Sequence, residues 1–285
     1  MGTTPNKRGI VAGVDGSDSA LGAARWAASI ALRFGEPLQL THVVPERPSS
    51  NGAAAGPAGD NALDAAEAAV RAAQPEVVVE RTIEVGKPAQ ALVERSDAAR
   101  MIVLGHTTTS ELQSMFAGSD VVRTANHAHC PVVSWRGEPG PTELDGKPIV
   151  LGVDGSALSA KAIAHAFEIA DKAGAPLTAV HTWTEQSTLT YGEGSRFTDW
   201  EAYQEHRTAE LAESLAGYRE KHPDVEISYS VERGKPDVML LEHSAHAQLV
   251  VVGSHGRSTI ASALLGSTSQ NLIHHSMCPV LICRS

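Results

Sequence analysis

Gly253-Ser254-His255-Gly256, nine further residues and then Gly266-Ser267-Thr268-Ser269 form the stretch of this chain best suited to hold an anion. Glycine lets backbone N–H groups approach a charged ligand closely, because no Cβ intervenes. Ser267, Thr268 and Ser269 fall at the start of a short helix, Gln270 to His275, where hydroxyls and unsatisfied helix N–H groups together make an anion site. Phosphate is the obvious guest. Gly/Ser turns are also ordinary loop punctuation, with Ser267 as a plain N-cap. Asp154, at the end of an apolar run, adds chemistry that punctuation does not need. A carboxylate facing the same crevice can accept from an exocyclic amine or a ribose hydroxyl.

These residues need a frame that delivers strand ends to one edge, and the chain supplies it twice. Val11-Ala-Gly-Val-Asp-Gly-Ser17 returns as Val150-Leu-Gly-Val-Asp-Gly-Ser156, shifted by 139 positions. Gly86-Lys87-Pro88 returns as Gly234-Lys235-Pro236, and Cys130-Pro131-Val132 as Cys278-Pro279-Val280, both shifted by 148. One insertion of nine residues therefore separates two copies of one domain, a period too long for a solenoid unit. The expected divisions are 1–136, a Pro/Gly-rich linker over 137–147, and 148–285.

Within each copy, apolar runs alternate with helical patterns. Gly9 to Val14 and Pro148 to Val153 read as strands buried on both faces. Ala20 to Phe34 and Ser159 to Ala173 read as helices that stop at Gly35-Glu-Pro37 and Gly174-Ala-Pro176. The second strands are Leu38 to Val44 and Leu177 to Trp183, followed by surface loops, Pro45 to Asp60 and Thr184 to Asp199. Helices over Ala62 to Ala73 and Glu201 to Lys221 lead to strands at Val77 to Val85 and Val225 to Glu232, which alternate as sheet edges do. Pro88 and Pro236 open third helices, Met101 to Leu104 and Leu249 to Val252 are buried fourth strands, and Val132 to Trp135 and Val280 to Cys283 are the fifth. The pattern predicts two tandem doubly wound α/β domains, each a five-stranded parallel sheet with helices on both faces. Ligands in such sheets bind beyond the carboxyl ends of the strands, where the strand order reverses.

Composition narrows the function. With 285 residues, 42% hydrophobic and 20% charged, each copy is long enough to close its own core. A net charge of −10 argues against a nucleic-acid surface, which needs clustered Lys and Arg. No run of about 18 apolar residues exists to cross a bilayer. Met1 to Arg8 is polar and leads straight into a strand, which predicts no cleaved leader. The three cysteines, Cys130, Cys278 and Cys283, make neither a framework nor a CxxC pair, so a cytoplasmic location is expected. Cys130 and Cys278 read as small buried side chains, and Cys283, next to Arg284, as an exposed thiol.

The spacing Gly253, two residues, Gly256, nine residues, Gly266-Ser267 resembles the universal stress protein family, specifically its ATP-binding branch. Val-Asp-Gly-Ser, Gly-Lys-Pro and Cys-Pro-Val in both copies extend the resemblance over nearly the whole chain. It implies an adenine nucleotide alpha hydrolase-like fold and ATP as the ligand, alone or with Mg²⁺. It implies that Asp154, between Val153 and Gly155, contacts the adenine end and that His181 and Thr182 line the base pocket. Gly253, Ser254, His255 and Gly256 then lie against ribose and phosphates, and Gly266, Ser267, Thr268 and Ser269 hold the phosphate chain. The residues themselves support an anion at the last group; adenine comes from the resemblance alone. The resemblance further implies an intrachain pseudo-dimer through the fifth strands, a homodimer, and an unknown protein partner. Arg257 either pairs with a phosphate or is a solvated loop charge.

The first copy departs from this pattern. Val14, Asp15, Val43, Gly105, Gly118 and Ser119 remain as candidate contacts, but Thr108 stands where the second glycine belongs. Asp120 replaces Thr268 and Val121 replaces Ser269. A carboxylate there repels phosphate unless Mg²⁺ intervenes, so the first site is expected to be weak or empty.

Other candidates carry less. Asp15-Gly-Ser-Asp-Ser19 is faintly like an ATP-pyrophosphatase loop, but the second copy lacks the Asp-Ser pair, and Ser17 and Ser156 read better as helix caps. His127, His129, His274 and His275 match no zinc spacing. No positioned nucleophile, general base or Walker-type lysine is visible beside the proposed phosphates, so any ATP hydrolysis is expected to be slow. The leading expectation is therefore a nucleotide-dependent regulatory module of the stress response. The alternatives are an enzyme using the same pocket, a nucleotide hydrolase or adenylyl transferase, and a ligand-free interaction module.

Overall fold

Gly-x-Pro stops and apolar runs set the element boundaries, as the computed structural model of the chain bears out. The structure describes residues 9–44, 55–106, 120–136, 144–184, 200–256 and 264–284. Thr108, Gly118, Ser119 and Arg257 lie outside the described residues. The described chain falls into two compact units that divide between Asp145 and Gly146.

In the first unit the order is β1 (Ile10–Gly13), α1 (Asp18–Phe34), β2 (Leu38–Val44), α2 (Ala55–Ala73), β3 (Val79–Val85), α3 (Pro88–Arg95), β4 (Met101–Gly105), α4 (Asp120–His127) and β5 (Val132–Trp135). The second unit repeats it as β6 (Ile149–Gly152), α5 (Ala157–Ala173), β7 (Leu177–Trp183), α6 (Trp200–Lys221), β8 (Ile227–Arg233), α7 (Pro236–Ser244), β9 (Leu249–Gly253), α8 (Ser267–His275) and β10 (Val280–Cys283). Each unit holds one sheet of five parallel strands, ordered β3-β2-β1-β4-β5 and β8-β7-β6-β9-β10. The central strands carry the cores: Ile10, Leu38 and Ile102 in one unit, and Ile149, Leu177 and Val250 in the other, are inaccessible to solvent. β3 and β8 end their sheets, in keeping with their alternating burial.

The winding puts the helices on both faces. α1 packs with α2 and α3 with α4, and likewise α5 with α6 and α7 with α8. Right-handed crossovers send the chain one way across the sheet through α5 and α6 and back through α7 and α8, so the two pairs lie on opposite faces. The order reverses between β6 and β9, and between β1 and β4.

Local signals explain most helix ends. Ser17 accepts from the Ala20 N–H and Ser156 from the Ser159 N–H, so both are N-caps. Gly35 and Gly174 close α1 and α5 in the left-handed conformation, φ 63° and 61°. One expectation needs correction. α2 begins at Ala55, inside the stretch read as loop from its prolines and glycines. Pro57 falls within the first turn, where a missing N–H costs nothing.

Cys283 is a second correction. It is the last residue of β10 and fully buried, like Cys130 and Cys278, because β10 is buried along its whole length. Burial pushes its thiol up to about 12, against a smaller opposite pull from Lys161. At pH 8, Ellman's reagent is therefore expected to leave all three thiols unmodified in the folded chain and to titrate all three after denaturation. Fast labelling of Cys283 in native protein would contradict this burial.

Candidate functional site

Where the second sheet reverses, the carboxyl ends of β6, β7 and β9 open into a cavity of about 610 Å³. This is the range of small-molecule sites. Val153, Asp154, His181, Thr182, Gly253, His255 and Gly256, together with Gly266, Ser267, Thr268 and Ser269, all line it. Ser254 stands behind the wall, buried, and Gly155 lies outside the lining in an exposed turn with φ 79°.

The cradle on α8 forms because, among the described residues, no side chain caps the helix start. Gly266 is the N-cap and offers no side chain, and its own N–H is taken by the Ser254 carbonyl at 2.8 Å. The Gln270 N–H closes the first intrahelical bond, to Gly266. The N–H groups of Ser267, Thr268 and Ser269 precede that bond and have no acceptor within the helix. They add to the positive end of the helix dipole. The Ser269 hydroxyl plays a different part from the one expected. It is buried and donates to the Gly253 carbonyl at 2.9 Å, fastening α8 to the end of β9. Its single proton is spent there, so Ser267 and Thr268 carry the available hydroxyls.

Asp154 faces this cradle across the reversal point. Its Oδ1 accepts from the Ser156 N–H at 2.9 Å, which turns the chain into α5. Its Oδ2 lies where a Cβ on Gly256 would approach to 2.9 Å. Glycine at 256 thus lets the β9 loop come down beside the carboxylate. His181 is oriented from behind by a 2.8 Å contact between Nδ1 and the Val153 carbonyl, and His42 repeats this with Val14 at 2.7 Å. The side chain of His255 is fixed by Nδ1 against the Ser254 hydroxyl at 3.0 Å, while its Nε2 is buried with no hydrogen-bond partner among the described residues. A buried imidazole nitrogen left unpaired in a cavity wall suits a site completed by a polar ligand.

Several lining residues escaped the sequence reading. Lys235, seen only as part of a helix-opening Gly-Lys-Pro, lines the cavity. Asp237 accepts from Asn271 at 2.9 Å, which draws the start of α7, and Lys235 with it, beside α8. The cradle therefore has a lysine near it after all. Trp183, Tyr203 and Arg207 make a further wall from β7 and α6. The Trp183 and Tyr203 rings meet edge-on at 5.0 Å, and the Arg207 guanidinium lies 5.2 Å over the Tyr203 ring. The only sequence signal for the last two is their contrast with the first copy, described below. The third helix, α3 in the first unit and α7 in the second, is also held differently. Glu84 binds Arg95 in the first, while Glu232 accepts from Ser230 and contacts His243 at 2.6 Å in the second. Burial raises the Glu232 carboxyl, but the hydrogen bonds from Ser230 and His243 and the charge of His243 outweigh it, leaving the pKa lowered.

The first unit arranges the matching residues otherwise. Asp15 is exposed, and its Oδ1 takes both the Ser17 N–H and the Ser17 hydroxyl, at 2.9 and 2.6 Å. Gly105 is pressed onto α1: a Cβ there would meet the Ser19 carbonyl group at 2.5 Å and the Ala20 nitrogen at 2.7 Å. Asp120 heads α4, where its own carboxylate supplies the negative charge that a helix start favours.

The parallel 3-2-1-4-5 sheet is present in tandem, and in the second unit a glycine-lined cavity opens at its reversal point. A sequence model described as the Universal stress protein family matches residues 7–136 and again 146–284. A universal stress protein of Mycolicibacterium smegmatis is 34% identical over 290 residues, covering 97% of each chain. Another from Mycobacterium tuberculosis is 34% identical over 301 residues, covering 100% of this chain and 99% of its own. The solved structure of a universal stress protein from Archaeoglobus fulgidus shares the fold, with a TM-score of 0.70 at 18% identity over 98% of this chain and 96% of that one. The chain belongs to the universal stress protein family. Among the described residues, no helix is long and apolar enough to cross a membrane.

Proposed function

We propose that the second unit binds one ATP, with Mg²⁺ as its counter-ion, and that the chain acts as a nucleotide-dependent regulatory module of the stress response in the cytoplasm. The observation that carries this reading is the uncapped start of α8 opening into the same cavity as Asp154 and the unpaired Nε2 of His255. Triphosphate oxygens accept from the Ser267–Ser269 N–H groups and the Ser267 and Thr268 hydroxyls, with Lys235 adding charge. Asp154 accepts from the nucleoside, at the ribose hydroxyls or the exocyclic amine. Glycine at 256 keeps the loop close enough for both ends to be held together. Nothing in this arrangement activates a water, so hydrolysis is slow and binding is the function. Ligand occupancy favours one arrangement of the cavity walls, which a partner protein or a second copy of the chain then reads.

Single substitutions test the assignment. Asp154→Ala is expected to lower ATP affinity about tenfold or more, the scale of one lost charge-assisted hydrogen bond. Asp15→Ala leaves it within twofold, as titration calorimetry of both variants would show. Greater loss from Asp15→Ala would reverse the ranking of the two units.

A further inference from the structure

The duplication provides an internal control for the α6 wall. Gln74 donates to Val70 and His222 to Tyr218, equivalent bonds 148 positions apart, so α2 and α6 run in matching register. Arg207 then falls at Gly59, and Trp183, in the strand shifted by 139, falls at Val44. In the first unit α2 lies directly on the end of β2: a Cβ on Gly59 would sit 3.1 Å from His42 Cδ2 and 3.6 Å from Val44 Cγ1. In the second unit the equivalent His181, Trp183 and Arg207 all face the cavity. The first copy thus rests this helix on the strand end at a glycine, where the second copy places an arginine in the cavity wall.

The position of Arg207 says what it meets. α6 lies on the α5 side of the sheet and is tied to β8 by Gln204, which donates to the Val231 carbonyl at 2.8 Å. α8 lies on the other face, fastened to β9. β8 and β9 stand three strand spacings apart, about 14 Å. α8 and Arg207 therefore line one cavity from opposite faces of the sheet, and a ligand with its phosphates on α8 meets Arg207 with another part of the molecule.

We infer that Trp183, Tyr203 and Arg207 form a base-reading wall in the second unit, with Arg207 the residue that selects a heteroaromatic ring over a bare polyphosphate. The inference rests on the nucleotide reading and adds which chain element recognises the base. The guanidinium is held in place by stacking on Tyr203, by Nε donating to the Tyr203 hydroxyl at 3.1 Å, and by the ion pair to Glu210 at 2.7 Å. A fixed, delocalised cation suits the face or acceptor nitrogens of a purine.

The test compares the full chain with Arg207→Ala, using ATP titration and competition by inorganic tripolyphosphate. Alanine suits a helix interior, and the melting temperature monitors the fold. The expected result is ATP affinity at least tenfold weaker, with tripolyphosphate competition unchanged within twofold. Unchanged ATP affinity, or equal loss for both ligands, overturns the base-reading wall. If the unaltered chain binds neither ligand, the nucleotide reading itself fails, and the inference with it.

Discussion

Thr268→Asp is expected to abolish nucleotide binding while leaving the protein as stable as before, or slightly more so. The substitution imports into the second unit what the first already has, Asp120 at the start of α4. Two like charges about 4 Å apart repel by about 4 kcal/mol at an effective dielectric of 20. Mg²⁺ and partial exposure reduce that penalty, so we expect ATP affinity to fall by about 100-fold or more. The same carboxylate favours the helix start by about 0.3–1 kcal/mol. Opposite movements of affinity and melting temperature would separate loss of the site from loss of the fold. Retained ATP affinity would mean that the phosphates do not lie on α8.

Gly105→Ala is expected to destabilise the first unit strongly and to leave nucleotide binding untouched. The added methyl group would meet backbone atoms of Ser19 and Ala20 at 2.5–2.7 Å, so the first turn of α1 has to move as a whole. Overpacking of this kind costs about 3 kcal/mol. For a domain of this size that lowers the first unit's unfolding midpoint by roughly 6–12 °C. Calorimetry would read the shift, and ATP per chain should not change. An unaltered midpoint would refute the packing role, and a drop in bound nucleotide would show that Gly105 belongs to a working site.

The sheet order and the cavity's position were legible because each copy punctuates its strands strongly. β2 and β7 were placed to the residue by Gly-x-Pro before and by a change of composition after, and β5 and β10 by Cys-Pro. The glycine spacing located the α8 cradle. It did not reveal that Ser269 faces back to Gly253, since a hydroxyl's direction depends on the strand packed behind it. Tyr203 and Arg207 lie on a long polar helix with no clear apolar stripe, and their role depends on how closely α6 approaches β7. The early start of α2 escaped notice because Gly59 and Pro57 look like loop residues, although glycine is what lets that helix rest on His42. Cys283 was misplaced for a related reason: closeness to the chain end does not expose a strand that is buried on both faces.

The most direct test of one working site is to saturate the purified chain with ATP and Mg²⁺, remove free ligand, denature, and quantify the released nucleotide by chromatography. The account predicts about one adenine nucleotide per chain, lost in Thr268→Asp and kept in Asp15→Ala. Two per chain would show that the first unit tolerates Asp120 and the close approach of α2, and none would contradict nucleotide binding altogether.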